Sequence, residues 1–525
     1  MKSHVSIYCM KLIKKPIIHQ PFLKHTPPLV SAFLSPLIDS EKELEEILNP
    51  EIRFEDGFNF LETLGRKVMI CGDYDADGIL STTLLVRYLD KLDIENGYYI
   101  PNRLSEGYGT KLSTVIAAQK KGYDTIILLD NGVVNSEVHT YCQEEGLILI
   151  VIDHHQIPEP VICDLLIHPD VMDKHFEGLC SCGLVYSIME PQHIDDYDTI
   201  LAGIGTIGDM MDLKHQNRAI VKEAIKFLNT KPYPTIESLL RRPVNKWDAT
   251  TIAFQIVPVF NALGRLADMG NVNNIVKYLL TTNPIVISQF SAQLKGINEQ
   301  RKNLSAQQTQ MALDISRDSD LFQIIYHPNF HEGIVGITAG QILSNTQKPT
   351  LVLSGRETLK GSVRARGLNV YQFLKQFEER YLLSFGGHES ACALSLLESD
   401  LTSFHREVQV AIADVQIEEP VIEAIALESE HITQQAYQEL EKFEPFGQGF
   451  KPDPLYIEVI VIGVTRLGKA GYKLNILPVG ELTEILYFKK DIEITEQNLH
   501  LGVVGNLQIN NRNQLSMIAE WLFMI

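Results

Sequence analysis

Three aspartates fall within five residues in MICGDYDADG, where the apolar run from Met69 gives way to Asp73, Asp75 and Asp77. Carboxylates that close repel one another and stay ionised only beside a cation or in open water. The segment is either an acidic turn after a strand or part of a metal site, and three further turns bear on the choice. LLDNG carries Asp130, VIDHHQIP carries Asp153, His154 and His155, and GTIGDMMDL carries Asp209. Hard carboxylate oxygens with one or two imidazoles suit Mn²⁺ or Mg²⁺ better than a structural zinc, which favours thiolates. Two cations sharing one aspartate neutralise such a cluster most simply, and Asp130 is the candidate for the bridge. Helix capping would account for Asp130 or Asp209 taken singly, but for neither the paired histidines nor the tripled aspartate.

Each turn ends a short apolar run: KVMIC before GDYDADG, DTIILL before DNG, LILIVI before DHH, and TILAGIGTIG before Asp209. Between them, STTLLVRYLDKL and LSTVIAAQKKG carry apolar residues at helical spacing. Strands alternating with helices predict βαβ units and a mostly parallel sheet covered on both faces, with ligands at the carboxyl ends of its strands. All four turns are therefore expected on one sheet edge. The 525 residues suffice for three or four domains, and 45% apolar content gives each a core. A formal charge of −20 excludes a protein that coats nucleic acid by bulk attraction, so any such contact must be local. No apolar run is long enough to span a bilayer, and Lys11, Lys14, Lys15 and Pro16 interrupt the first apolar stretches. A cytoplasmic protein with no membrane partner is expected. The seven cysteines, Cys9 among them, are scattered, and Cys180 and Cys182 lack the gap of a zinc knuckle, so reduced thiols are expected.

GDYDADG, LLDNG, VIDHHQIP and GTIGDMMDL stand in the order of the four motifs of the DHH phosphoesterases, which the chain resembles over nearly its whole length. The resemblance is to their branch of exonucleases specific for single-stranded DNA. It implies that Asp75 and Asp130 hold one metal and that Asp77, Asp130, His154 and Asp209 hold the other. Asp153 would orient His154 from behind, and His155 would face the scissile phosphate. Many relatives carry a histidine four residues before the first metal aspartate; Cys71 stands there in this chain. A small buried strand residue is expected of Cys71 more than a ligand, with Asp73 or water completing the shell. Asp212 replaces the family's usual proline and adds charge.

PNRLSEGYG and NALGRLADMG resemble the family turns whose arginines, Arg103 and Arg265 here, would fork onto phosphate. Ser288 to Ser316 lacks proline and is rich in helix formers, so one long polar helix bridging domains is expected, and its Asn298, Glu299, Arg301 and Lys302 match the family's linking helix. From Phe322 a strand, HEG and a helix open a second α/β domain, and GSVRARG and SFGGHESACAL resemble the DHH-associated domain with its GGH motif. The resemblance implies that Ser362 and Arg364 grip a terminal 5′ phosphate, that Gly386 and Gly387 let backbone approach it, and that His388 is a catalytic side chain of the cleft. An acidic stretch from about Leu396 to Phe443 reads as a connection, and EPFGQGFKPDPLYIEVIVIGVTRL then opens short strands that predict a small β-barrel. That barrel resembles the family's OB-fold, and its limited positive charge suits anchoring more than strand guidance.

The expected division is an N-terminal extension (1–64), a DHH catalytic domain (65–225), a helical region with the linking helix (226–320), a DHH-associated domain (321–414) and an OB-fold domain with an acidic connector (415–525). The implied function is metal-dependent 5′-to-3′ hydrolysis of single-stranded DNA to mononucleotides in repair and recombination, with two Mn²⁺ or Mg²⁺ ions as cofactors. The acidic surface leaves room for recruitment by a single-strand-binding protein or helicase. Three rivals remain open. A DHH phosphodiesterase of short oligonucleotides or cyclic dinucleotides would have little use for the barrel and linking helix. A haloacid-dehalogenase-type phosphatase could use DADGIL but leaves DHH and GGH unexplained. A non-catalytic replication scaffold is disfavoured because every second-metal ligand is present.

Overall fold

A computed structural model describes residues 11–15, 20–55, 57–418, 421–468, 471–489, 494 and 499–525. Ile52–Glu418 form one compact unit, and Met1–Glu51 with Glu419–Ile525 form a second. Cys71, Cys142, Cys163, Cys180, Cys182 and Cys392 are free thiols, while Cys9 lies outside the described residues.

The larger unit begins with strands β1 (Lys67–Cys71), β2 (Glu95–Tyr99), β3 (Thr125–Leu129), β4 (Ile148–Ile152) and β5 (Leu165–Ile167), all parallel and ordered β2-β1-β3-β4-β5. Alternate residues supply two cores. Val68, Ile70, Ile127, Leu129, Ile150 and Ile152 pack on one face with Leu84 and Leu85. Met69, Cys71, Ile126, Leu128 and Val151 pack on the other with Val115 and Val138. Apolar runs in these strands follow from burial on both sides. The strand order reverses at β1, flanked by β2 and β3, and such a reversal opens a crevice at the carboxyl ends.

The fourth apolar run is not the expected strand. TILAGIGTIG belongs to a helix, and of three helices that frame the crevice, α1 (Ala76–Lys91), α2 (Ser181–Ile188) and α3 (Asp196–Gly208), it lies in the last. Asp195 and Asp198 form a reciprocal capping box at the start of α3, and the helix is buried from Asp198 to Thr206, so apolar residues occur on all its sides. Arg87 of α1 donates to Asp198 at 2.6 Å and to Asp195 at 2.8 Å, anchoring that end. The other end delivers Asp209 as its C-cap. Three turns are strand ends and the fourth is a helix end.

The expected linking helix is α4 (Pro284–Ile315), 32 residues long and capped by Asn283. Beyond it, Gln323–Tyr326, Thr350–Arg356, Thr358–Arg364, Leu382–His388 and Ala391–Leu397 form a mixed five-stranded sheet, with α5 (Val335–Thr346) joining its parallel pair. This lobe meets the helical region by close backbone approach. A Cβ at Gly333 would overlap the carbonyl oxygen of Arg265, so only glycine fits there. Beside it the His331 ring lies 3.2 Å from Asp268 Oδ1, and the His331 N–H donates to Gln308 of α4 at 2.8 Å. Much of the acidic stretch expected as a connector is ordered. Leu401–Ala413 is a helix that buries Phe404, Val408 and Ile412, and Val421–Ala426 is a strand.

In the second unit Leu455–Leu467 pairs with both Gly471–Val479 and His500–Ile509, and Leu482–Tyr487 and Leu515–Met524 complete a closed five-stranded barrel. Two strands extend its sheet: Val421–Ala426 pairs parallel with Leu455–Leu467, and Lys11–Lys15 pairs parallel with Val421–Ala426. Among the described residues no helix is long and apolar enough to cross a membrane.

Candidate metal centre and phosphate cleft

Asp75 opens α1 as its N-cap, with Oδ1 accepting from the Gly78 N–H at 3.1 Å. Asp77, buried within the first turn, accepts from the Ser181 N–H at 2.7 Å and the Cys182 N–H at 2.9 Å, two amides left free at the start of α2. Gly205 of α3 makes room for this contact, since a Cβ there would overlap Cys182 Sγ. Asp130, at the end of β3, has φ 62°, a strained conformation for a residue with a Cβ. Its Oδ1 accepts from Ser181 Oγ at 2.9 Å and lies 3.3 Å from His154 Nε2. The same Nε2 lies 3.4 Å from Asp209 Oδ2. Asn131 ties the edge together by donating to the Cys71 and Leu129 carbonyls at 3.1 and 2.9 Å.

Ligand atoms within 4.8 Å of one another form two main groups, Asp73 with Asp75 and Asp130, and Asp77 with His154 and Asp209; Asp130 also groups with His154 and His155. Asp130 thus stands between them. Asp73 Oδ1 and Asp209 Oδ2 are buried with no hydrogen-bond partner. Burial, then Asp77 and Asp75, hold the Asp130 carboxyl well above the usual carboxylate range. Burial and Asp75 do the same to Asp73, and burial with Asp77 and Asp75 pushes Asp209 up to about 8. Buried acids that resist ionising alone, with unpartnered oxygens turned inward, fit hard divalent cations. Asp73, expected only as support, contributes an oxygen to the first group. Cys71 does not join either group. Its thiol packs among Val115, Ala118 and Leu128, and burial pushes it up to about 12, the behaviour of a buried strand residue.

Asp153 has a different partner from the expected one. Its carboxylate touches His154 only at the backbone N–H, at 2.8 Å, whereas the ring it holds is that of His155, with Nδ1 2.7 Å from Oδ1. The next ring nitrogen in the DHH run already faces Asp130 and Asp209, so the carboxylate behind the turn reaches only the outer imidazole. Burial works to raise the Asp153 pKa, but the hydrogen bond and charge of His155 hold it below the ordinary value. Reciprocally, burial lowers the His155 pKa, and Asp153 more than offsets it.

Beside the carboxylates lies a cluster of arginines. Burial first, then the charges of Arg103, Arg301 and Arg364, depress the Arg265 guanidinium to about 10, while Asp75 opposes them. Arg103 sits 5.1 Å from the Tyr74 ring centre. Arg364 donates to Ser362 Oγ at 2.7 Å, and a Cβ on Gly336, in the first turn of α5, would touch both. These guanidiniums repel one another, and Arg364 with Ser362 lies at the start of α5. Gly387 has φ 142° and packs on its own hairpin partner, while Gly386 faces open space. His388 is exposed at the strand end with Ser390 Oγ 3.4 Å from Nδ1, and among the described residues no contact joins it to the carboxylate edge.

Residues that sequence reasoning passed over are Ser181, Tyr108 and, as part of the cleft, Arg301. Tyr108 donates to the Asp130 carbonyl at 3.3 Å and stands edge-on to His155. The helix carrying Asp209 had a readable signal, Asp195 three positions before Asp198. Ser181 had none, because its partners Asp77 and Asp130 lie 104 and 51 positions away.

The switch-point edge of the parallel sheet thus gathers carboxylates and imidazoles beside a set of arginines. Family models match in series: DHH family, N-terminal domain over residues 67–208, DHHA1 domain over 319–414 and RecJ OB domain over 424–519. The chain thus carries, in order, segments that match a DHH N-terminal domain, a DHHA1 domain and a RecJ OB domain. It is 27% identical over 473 residues to the single-stranded-DNA-specific exonuclease RecJ of Bacillus subtilis, covering 85% of this chain and 59% of that one. RecJ of Thermus thermophilus is 28% identical over 444 residues, covering 82% and 62% respectively, and RecJ of Escherichia coli is 28% identical over 460 residues, covering 79% of each. The chain therefore spans about three-fifths of the length of the first two relatives. The crystal structure of Thermus thermophilus RecJ in complex with Mn²⁺ has the same fold, with a TM-score of 0.83 at 22% identity over 98% of this chain and 79% of that one.

Proposed function

We propose that the chain is a metal-dependent exonuclease that hydrolyses single-stranded DNA from its 5′ end to mononucleotides. The observation that carries this reading is Asp130, which groups with Asp73 and Asp75 on one side and with His154 and His155 on the other, at a sheet edge beside the arginines. The single-strand specificity rests on the RecJ relatives, and the 5′ polarity on the motif resemblance that gives the Ser362–Arg364 pair a terminal phosphate. Asp73, Asp75 and Asp130 would hold one divalent cation, and Asp77, Asp130, His154 and Asp209 the other. Bound Mn²⁺ or Mg²⁺ would supply a water of lowered pKa and neutralise charge on the phosphodiester. Asp153 keeps His155 inclined to carry a proton, and the imidazolium would stabilise the phosphate oxygens. Arg103, Arg265, Arg364 and Ser362 would hold the terminal nucleotide's phosphate, with Gly386, Gly387 and His388 closing the far side. The division of the chain at 64, 225, 320 and 414 belongs to the same reading, as does a cytoplasmic location. A net charge of −20 gives weak attraction for DNA at large, which favours recruitment by a single-strand-binding protein or helicase.

The test is digestion of single-stranded DNA labelled at either end, with Mn²⁺, Mg²⁺ or chelator. Expected is metal-dependent release of the 5′ label first, on long strands as well as short ones, and none from Asp130→Ala. Release of the 3′ label first would overturn the polarity, and activity confined to dinucleotides would favour the short-oligonucleotide phosphodiesterase.

A further inference from the structure

The Cys-Ser-Cys run at the start of α2 is absorbed by none of the roles above, yet it touches both ligand groups. The Ser181 and Cys182 N–H groups hold the two oxygens of Asp77 at 2.7 and 2.9 Å, and the Ser181 hydroxyl donates to Asp130 Oδ1 at 2.9 Å. Cys182 Sγ adds a contact of 3.5 Å to the Asp77 carbonyl. We propose that Ser181 is the positioning residue of the metal centre, fixing the Asp130 carboxylate in the rotamer that places it with Asp73 and Asp75 on one side and with His154 on the other.

Three observations carry this. Ser181 is completely buried, so its hydroxyl is shielded from bulk solvent. Asp130 is held in the left-handed region at φ 62°, so its backbone leaves the side chain near the inner edge without fixing which way the carboxylate plane faces. The Ser181 hydroxyl is the one side-chain hydrogen bond described for that carboxylate among the described residues; His154 Nε2 at 3.3 Å and the ligand atoms of Asp73, Asp75 and His155 within 4.8 Å are themselves ligand candidates. Without the hydroxyl, Asp130 would have to be ordered by the incoming cations themselves. Partners that orient ligands from behind commonly govern metal affinity by about 10–100-fold. The Asp77 contacts come from backbone and survive alanine or threonine at 181, so the loss would fall on Asp130 alone.

The inference rests on the two-metal reading and is tested apart from it. Mn²⁺ binding without DNA is measured by electron paramagnetic resonance of the free ion, on the parent chain, Ser181→Ala, Ser181→Thr and Asp130→Ala, with the unfolding temperature of each in chelator. Expected is about tenfold weaker Mn²⁺ binding by Ser181→Ala at an unchanged unfolding temperature in chelator, and recovery in Ser181→Thr, which restores the hydroxyl. Parental Mn²⁺ affinity in Ser181→Ala would overturn the inference whatever Ser181→Thr does. So would weakened binding that tracks a lowered unfolding temperature and is not restored by threonine. Parental binding by Asp130→Ala would instead overturn the metal assignment itself.

Discussion

Gly333→Ala offers a direct test of whether the two lobes of the larger unit must be held at a fixed distance for catalysis. A Cβ at 333 would overlap the Arg265 carbonyl oxygen, and restoring an ordinary contact needs a displacement of about 1 Å or more. Arg265 belongs to the arginine cleft and ends the helix Val257–Arg265, whereas Gly333 begins the turn that leads into α5. The displacement therefore separates Arg265 from the Ser362–Arg364 side of the cleft. A misplacement of about 1 Å at a reacting site costs on the order of 100-fold, about 2.7 kcal/mol of barrier. Hydrolysis of 5′-phosphorylated single-stranded DNA is expected to fall by about that factor in kcat/KM. Mn²⁺ affinity should be unchanged, because every carboxylate and imidazole of the two ligand groups precedes residue 210. Gly333→Ala with parental kcat/KM would refute the argument, as would a loss of activity matched by an equal loss of Mn²⁺ binding.

Asp153→Asn removes the negative charge that keeps the His155 ring charged, so kcat is expected to drop about 100-fold. The alkaline limb of its pH profile should move to lower pH, because the interaction that raised the His155 pKa is gone; an unmoved limb would rule out this role. Arg364→Ala should raise KM for 5′-phosphorylated substrate about tenfold or more and abolish its advantage over a 5′-hydroxyl end, measured by competition between the two. In chelator, folded Asp209 keeps its proton up to about pH 8, whereas the ordinary carboxyl releases it near 3.8. Folding then takes up a proton between those values, so the unfolding temperature should fall as pH rises through that window, and Mn²⁺ should remove the slope. A metal-free protein that gains stability over the same window would contradict the raised carboxyl.

Much of the site is written in local sequence because it lies at strand ends. Apolar runs before Asp73, Asp130 and Asp153 are buried on both faces and end where the backbone leaves the sheet and the carboxylates begin, so their order and polarity were readable. The run before Asp209 misled because a fully buried helix and a buried strand share the same unbroken apolar composition, and only the capping box tells them apart. Asp153 choosing His155 over His154 depends on which ring the inner carboxylates have already claimed, a matter of three-dimensional competition. Ser181 and the mutual repulsion around Arg265 lie further still from local reading, since their partners come from segments distant in the chain.

The strand Lys11–Lys15, laid parallel to Val421–Ala426, sets an order of events during synthesis. Residues 52–418 can leave the ribosome and close their own cores while that early strand still waits for a neighbour some four hundred positions behind it. The barrel unit is thus completed after the larger one although one of its strands is made before it. A truncated messenger or a stalled ribosome would release a finished catalytic unit with an unpaired leading strand. Deleting the residues before Glu51 should accordingly injure the smaller unit and spare the larger one, the reverse of what their position in the chain suggests.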